Sequence, residues 1–193
     1  MKHLKLTLLA FCIIVATACK NDKKETEETN ETEVEKIVEE NVEVKELKFS
    51  LNPKSDSNVT GSVTFIEENG EVKMIAQMTG LDEGEHAIHI HEKADCSSAD
   101  GKSTGGHWNP TAQPHGKWGD ATGYHKGDIG NFMVGADGVG TVEFATSEWC
   151  LGCEDTTKNI MGKAIIVHQG VDDFTSQPSG AAGSRISCGG IIE

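Results

Sequence analysis

The chain has 193 residues, of which 36% are hydrophobic and only 5% aromatic, and it contains 22 glycines. This length suits one domain with extensions rather than two full domains, and the composition favours a loop-rich all-β domain over a helical bundle. The formal net charge of −14 argues against nucleic-acid binding, because such a surface repels phosphate backbones.

The N-terminus predicts an export signal. Lys2 and Lys5 precede an apolar stretch, Leu6–Ala18, which is too short for a membrane span. Small residues come directly before Cys19, as in a bacterial lipobox, so residues 1–18 are predicted to be a lipoprotein signal peptide with Cys19 as the lipid acceptor. An ordinary signal peptide with an incidental cysteine is the alternative. Export implies an oxidising compartment, here the bacterial periplasm or outer surface, with the lipid holding the protein to a membrane.

Residues 19–46 predict an acidic, disordered tether. From Lys20 to Glu46 there is no glycine, proline or aromatic residue, and glutamate, threonine, lysine and asparagine dominate. Such a composition cannot bury a hydrophobic core. A weak helix around Val34–Val42 is the minority interpretation, because its few apolar residues have no identified partner.

From Leu47 onwards, apolar and polar residues alternate. This pattern predicts β-strands, in which alternate side chains face the same side. The predicted strands are Leu47–Leu51, Val59–Glu67, Val72–Met78, Ala87–His91, Gly138–Ala145 and Lys163–His168. Glu68–Glu71 and Ala136–Gly138 are predicted to be turns.

Two long stretches between the predicted strands, 92–127 and 169–184, are rich in glycine, proline, aspartate and histidine. Long loops inside a compact domain are usually functional. The predicted fold of residues 47–193 is therefore all-β: an antiparallel β-sandwich or flattened barrel that carries large loops.

The sharpest local signal for a metal site is His89-Ile90-His91. Residues i and i+2 of a strand point to the same face, so the two imidazoles can converge on one ion while Ile90 packs into the core. His86 falls on the other face and is better explained as a structural histidine. The alternative for an isolated pair of this kind is an exposed strand face.

A second group of possible ligands, His107, His115, His125 and Asp128, lies in or near the first long loop. Three imidazoles and one carboxylate form a common closed tetrahedral zinc set. The alternative is a polar loop with incidental histidines. His168 ends an apolar strand, where a buried, hydrogen-bonded histidine is the usual interpretation, but the two other groups favour a ligand.

Several motifs, taken in order along the chain, resemble those of the Cu/Zn superoxide dismutase family over nearly all of residues 47–193. The motifs are Gly84–Glu92, Gly105–Pro110, Pro114–Gly116, His125–Asn131, Val167–His168 and Gly183–Gly189. The resemblance implies a Greek-key antiparallel β-sandwich or flattened barrel with long metal-binding and active-site loops. It also implies that superoxide is converted to O2 and hydrogen peroxide by Cu(II)/Cu(I) cycling beside a structural zinc.

The resemblance further implies which side chains hold each metal. Copper is expected at His89, His91, His107 and His168, and zinc is expected at His107, His115, His125 and Asp128. His107 is then shared, as a bridging imidazolate. All-imidazole tetragonal ligands suit Cu(II), and three histidines with one aspartate in a tetrahedron suit Zn(II).

Four further residues receive roles from the same resemblance. His107 is the proposed proton store, and Arg185 is expected beside the copper, where it attracts the anionic substrate and hydrogen-bonds it. Because the negative chain repels an anion, the rate should depend strongly on Arg185. Asp172 matches a carboxylate that orients ligands of both metals, and His86 matches the family's structural histidine.

Four cysteines remain beyond Cys19: Cys96, Cys150, Cys153 and Cys188. They allow three pairings, and the sequence alone does not choose among them. The resemblance pairs Cys96 with Cys188. Cys150 and Cys153 depart from the family's common pattern; they are expected to form a second, local disulfide, and a redox-active pair is the alternative.

The predicted function is therefore that of a superoxide dismutase. A non-enzymatic copper/zinc-binding lipoprotein on the same fold is the runner-up, and a surface lipoprotein that metals merely stabilise is a third interpretation. The presence of every expected ligand together with Arg185 favours the enzyme. Expected partners are superoxide, a membrane through the N-terminal lipid only, and a second copy of the chain in a homodimer, with no nucleic acid.

Overall fold

The computed structural model describes residues 43–193. The predicted signal peptide, the lipid acceptor Cys19 and nearly all of the predicted tether lie outside these residues. Within 43–193, no helix is long and apolar enough to cross a membrane.

Eight β-strands and one 3-10 turn make up the regular structure of the described residues. The strands are β1 (Lys45–Pro53), β2 (Thr60–Glu68), β3 (Glu71–Thr79), β4 (Gly84–His91), β5 (Gly130–Val134), β6 (Val139–Thr146), β7 (Ala164–His168) and β8 (Arg185–Gly190). The turn, Lys102–Thr104, lies in the long loop between β4 and β5. The predicted all-β class is confirmed.

The strands form one antiparallel sheet in the order β5-β4-β7-β8-β1-β2-β3-β6. Its end strands β5 and β6 come close together, so the sheet curls into a nearly closed barrel. The connections from β3 to β4 and from β6 to β7 join strands that are not neighbours, as in a Greek key. The predicted flattened barrel is therefore confirmed.

The core lies inside this barrel and follows the alternation of the sequence. On β2 and β3, Val63, Phe65 and Met74 are fully buried, whereas their chain neighbours point outwards. The β2–β3 hairpin closes through Asn69 and Gly70, which both adopt positive φ angles of 52° and 77°. Asn-Gly is the preferred pair for such a turn, so the predicted hairpin is confirmed.

Three details of the fold were wrong or missed. Strand β1 begins at Lys45, two residues before the predicted strand Leu47–Leu51, because Lys45 pairs with Glu67 on β2. Strands β5 and β8 were not predicted: Gly130–Val134 is short, and Arg185–Gly190 ends in two glycines, so neither shows a clear alternation. Their partners β4 and β7 impose the extended conformation.

Both expected disulfides are present. Cys96–Cys188 joins the long β4–β5 loop to β8 across a sequence separation of 92, which corresponds to roughly 4–5 kcal/mol of chain entropy removed from the unfolded state. Cys150–Cys153 closes a small loop after β6. Sequence spacing left three pairings open, and the structure selects this one.

Candidate metal centre

Strand β4 supplies the most rigid part of the site. Its first residues, up to Ile88, pair with β5, its last four, Ile88–His91, pair with β7, and Ile90 is also bonded to the long loop, so its backbone is held along its whole length. Ile88 and Ile90 face the hydrophobic core, and His89 and His91 occupy the alternate positions, both fully buried. The strand therefore fixes the directions in which these two imidazoles leave the backbone.

The long loop is fastened to the end of β4 by main-chain hydrogen bonds. Trp108 N donates to Ile90 O at 2.8 Å, and Ile90 N donates to Gly127 O at 2.9 Å. A Cβ atom at Gly127 would collide with the carbonyl of Ile90, so only glycine permits this approach. These contacts bring His107 and Asp128, on either side of the fastening, towards His91.

The first cluster consists of His89, His91, His107 and His168. Their candidate ligand atoms all lie within 4.8 Å of one another, and every member is buried. His91 Nε2 lies 3.4 Å from His168 Nε2, and the ring centroids of His89 and His107 are 4.0 Å apart. Four converging imidazoles match the tetragonal nitrogen set that Cu(II) prefers.

The second cluster surrounds the carboxylate of Asp128. Its Oδ1 atom lies 2.8 Å from His107 Nδ1 and 3.3 Å from His125 Nδ1, and its Oδ2 atom lies 2.9 Å from His115 Nδ1. Asp128 is fully buried and also accepts a hydrogen bond from the His125 main-chain N–H. Three imidazoles and one carboxylate match a closed tetrahedral zinc set.

Unpartnered imidazole nitrogens support metal occupancy of both clusters. Among the described residues, His89 Nδ1 and His107 Nε2 are buried side-chain atoms without a hydrogen bond, and His115 Nδ1 and His125 Nδ1 make no aligned hydrogen bond although the Asp128 carboxylate lies 2.9 and 3.3 Å away. Buried polar atoms without partners are rare because they are costly, and a bound ion satisfies them. The residues present therefore fit two metal ions that share His107, whose Nδ1 faces the second cluster and whose Nε2 remains for the first.

Asp172 connects the two clusters from behind. Its Oδ2 atom accepts from His89 Nε2 at 2.8 Å, and its Oδ1 atom accepts from His115 Nε2 at 2.9 Å. Asn131 on β5 holds the backbone of Asp172 through two hydrogen bonds. One fixed carboxylate thus contacts one ring of each cluster, where it can hold the orientation of both rings.

The charge states of the free site are matched to metal binding. Burial and the neighbouring His89 lower the pKa of His107 to about 4, and burial with nearby imidazoles lowers the pKa values of His91 and His168 well below the ordinary range. Burial by itself also lowers the pKa of His115, but Asp128 and Asp172 outweigh it and raise that pKa to about 9. At neutral pH His91, His107 and His168 are therefore uncharged and able to bind a cation, whereas His115 must first release a proton.

Arg185 lines a cavity of about 580 Å³ into which the first cluster opens. It is the only arginine or lysine among the described residues that line this cavity, and Glu92 is the acidic residue at its wall. Its Nη1 atom donates to Gly101 O at 2.9 Å and to Thr104 Oγ1 at 3.0 Å. These two contacts were not predicted; a buried threonine gives no sequence signal that distinguishes it from a core residue.

His86 lies in neither cluster. Its Nδ1 atom is 3.0 Å from the carbonyl oxygen of His168, and its Nε2 atom is 3.0 Å from that of Asp82. The ring therefore ties β4 to the ends of two loops, consistent with the predicted structural role.

The family model for copper/zinc superoxide dismutase matches residues 59–191. The chain belongs to the copper/zinc superoxide dismutase family. It is 37% identical over 141 residues to "Superoxide dismutase [Cu-Zn] 2" of Mesembryanthemum crystallinum. The aligned residues cover 69% of this chain and 87% of that relative.

Two solved structures share the fold of this superoxide dismutase family member. A double mutant of a SOD-like protein from Bacillus subtilis aligns with a TM-score of 0.68 and 32% identity, over 76% of this chain and 97% of the other. The unmutated SOD-like protein from the same organism gives 0.66 and 30%, over 75% and 97%. The chain is thus an oxidoreductase of a copper- and zinc-containing family, as its motifs predicted.

Proposed function

We propose that this chain dismutates superoxide with copper held by the first cluster and zinc held by the second. The first cluster is His89, His91, His107 and His168; the second is His107, His115, His125 and Asp128. The position of His107 carries this assignment, because its two ring nitrogens face different clusters. Two contiguous donor sets with unpartnered nitrogens are costly to bury unless both are occupied.

Copper, when bound, would supply the one-electron redox chemistry by which one superoxide is oxidised to O2 and another, with two protons from solvent, is reduced to hydrogen peroxide. Arg185 attracts the anion into the cavity and hydrogen-bonds it with a guanidinium that stays charged. When copper does not occupy its Nε2 atom, His107 would hold a proton there, while Asp128 faces its Nδ1 atom. Asp172 keeps His89 and His115 in the orientations that both clusters need.

The proposal is tested by following superoxide decay with the full chain loaded with both metals. Replacing Arg185→Ala should lower kcat/KM about 10–100-fold, since a hydrogen bond to a charged group is worth roughly 1.5–3 kcal/mol. Lys102→Ala removes the same charge from an exposed side chain paired with Asp100 and outside the cavity, so it is the matched control. Equal activity of the Arg185 variant would remove it from the mechanism.

A non-enzymatic copper/zinc-binding protein is the second candidate. It shares both clusters, so metal content alone does not separate the two functions. Full copper and zinc occupancy without turnover of superoxide would favour this second function. The residues that line the cavity beside Arg185 would then be the ones to compare with those of active enzymes.

The anchoring and assembly of the protein are also proposals. We propose that Cys19 is lipidated in a bacterial cell envelope and that the acidic tether links it to the barrel. Labelling with a fatty-acid analogue should mark the chain and should fail with Cys19→Ser. A homodimer should give twice the protomer mass in sedimentation equilibrium, and a single protomer mass would refute it.

A further inference from the structure

Glu148 and Trp149, directly after β6, contact the loop segment that carries two ligands of the second cluster. Trp149 Nε1 donates to Lys126 O at 2.8 Å. Tyr124 Oη donates to Glu148 Oε1 at 2.8 Å, and the Lys126 ammonium pairs with the same carboxylate. Tyr124 and Lys126 flank His125 in sequence. The pair Glu148–Trp149, here called the clamp, therefore holds the chain on both sides of one ligand.

The clamp is anchored in the barrel core. Trp149 is 1% exposed. Its ring packs edge-on against Phe65 of β2 at 6.1 Å and lies 4.9 Å from Phe144 of β6. Trp118, from the same long loop, packs edge-on against it at 5.7 Å. A ring enclosed in this way has little freedom to turn, so its N–H is a fixed donor to the loop.

The second disulfide fixes the chain where it leaves the clamp. Cys150 follows Trp149 directly and is bonded to Cys153. The small loop that they close is tied down at Leu151, whose N–H donates to Glu67 Oε2 of β2 at 3.0 Å. Cys150 N also donates to Lys158 O at 2.9 Å. The chain is thus bonded to β2 just after the clamp, and just before it the Glu148 N–H donates to Thr146 Oγ1 at the end of β6.

We infer that the clamp, locked by the Cys150–Cys153 disulfide, positions the zinc half of the site and leaves the copper half largely unaffected. The inference rests on the zinc set proposed above. His89 and His91 stand on β4 and are each paired with a residue of β7, whereas His125 and Asp128 stand on a loop. A loop ligand stays in place only if something outside it holds the backbone, and outer contacts of this kind commonly change metal affinity about 10–100-fold.

The test compares Trp149→Phe, which keeps an aromatic ring but removes the N–H donor, with Glu143→Gln. Glu143 lies on β6 in an exposed ion pair with Lys73, so this control makes the same charge change as the further variant Glu148→Gln without touching the clamp. Zinc and copper affinities of the full chain are measured by chelator competition, and Co(II) in the zinc set is followed by its visible spectrum. Trp149→Phe should weaken zinc about tenfold, alter the cobalt spectrum and change copper affinity less than twofold.

Two further variants keep the inference testable if Trp149→Phe does not fold. Glu148→Gln removes the charge that pairs with Lys126, and the double change Cys150→Ser and Cys153→Ser removes the lock; each should also weaken zinc selectively. Native zinc affinity in all folded variants, or an equal loss of both metals, would overturn the inference. A wild-type chain whose cobalt spectrum is not tetrahedral would instead refute the proposed zinc set.

Discussion

Replacing Asp172→Asn tests whether one carboxylate couples the two metal clusters. The carboxylate is buried and accepts hydrogen bonds from His89 at 2.8 Å and from His115 at 2.9 Å. Burial alone would raise its pKa, but these two imidazoles and the N–H of Phe174 hold the pKa well below the usual range. The asparagine side chain has the same shape, but it offers one acceptor oxygen and places an amide donor against the other ring.

The expected losses differ between the two metals. His89 stands on β4, where it is paired with Ile166 of β7, so its ring keeps most of its orientation without the carboxylate. His115 stands on a loop and depends more strongly on Asp172. Outer contacts of metal ligands are worth about 10–100-fold in affinity, so we expect zinc affinity to fall about 100-fold and copper affinity about 10-fold.

The assay is chelator competition with each metal in turn, with Asp173→Asn as the matched control. Asp173 is the next residue, and it is exposed and bonded only to nearby loop atoms, including the hydroxyl of Ser176. The control makes the same charge change and should alter either affinity less than twofold. Unchanged affinity for both metals in the Asp172 variant would show that this carboxylate does not couple the two clusters. A loss confined to copper would refute the expectation that His115, on a loop, depends on Asp172 more than His89, on a strand.

Three further outcomes are expected. Thr104→Val removes a hydrogen bond to Arg185 and should lower kcat/KM about tenfold with metal content unchanged, whereas Thr104→Ser should retain the rate. Zinc affinity should rise by about one log unit per pH unit up to pH about 9 and then level off, because zinc must displace the proton of His115; a flat titration below pH 9 would contradict this. Gly180→Ala places a methyl group against the carboxylate of Asp172, at a residue whose φ is 67°. It should lower the free energy of unfolding, measured in urea, by about 2 kcal/mol or more. Gly119→Ala, where the added methyl group meets open space, should lower it by only about 1 kcal/mol.

Much of the fold could be predicted because strand patterns are local. The alternation in β1 to β4 and the Asn69-Gly70 turn follow from period-two burial and left-handed turn geometry. Strand β8 could not be predicted in this way. Its residues are extended because β7 and β1 lie on either side of it, and that pairing joins parts of the chain far apart in sequence.

The residues of the candidate site also fall into those that local geometry predicts and those that depend on contacts between distant parts of the chain. His89 and His91 are recognisable because strand geometry alone puts them on one face. The hydrogen bond between Thr104 and Arg185 joins residues 81 positions apart, and that between Trp149 and Lys126 joins residues 23 positions apart. No periodic pattern in the sequence marks these partners. Such contacts become visible only when the loops are in place.

The sequence by itself determined the residue types that the chemistry needs: the histidines and aspartate of the two clusters, the glycines that let the long loop approach β4, and the alternation that builds the barrel. The tertiary structure alone decided how the cysteines pair and which nitrogen of each imidazole is left for a metal. In His89 and His91 one ring nitrogen is left for a metal because Asp172 and Gly105 occupy the other one, and those two groups lie on loops. Long-range packing sets their positions, so no local pattern contains that information.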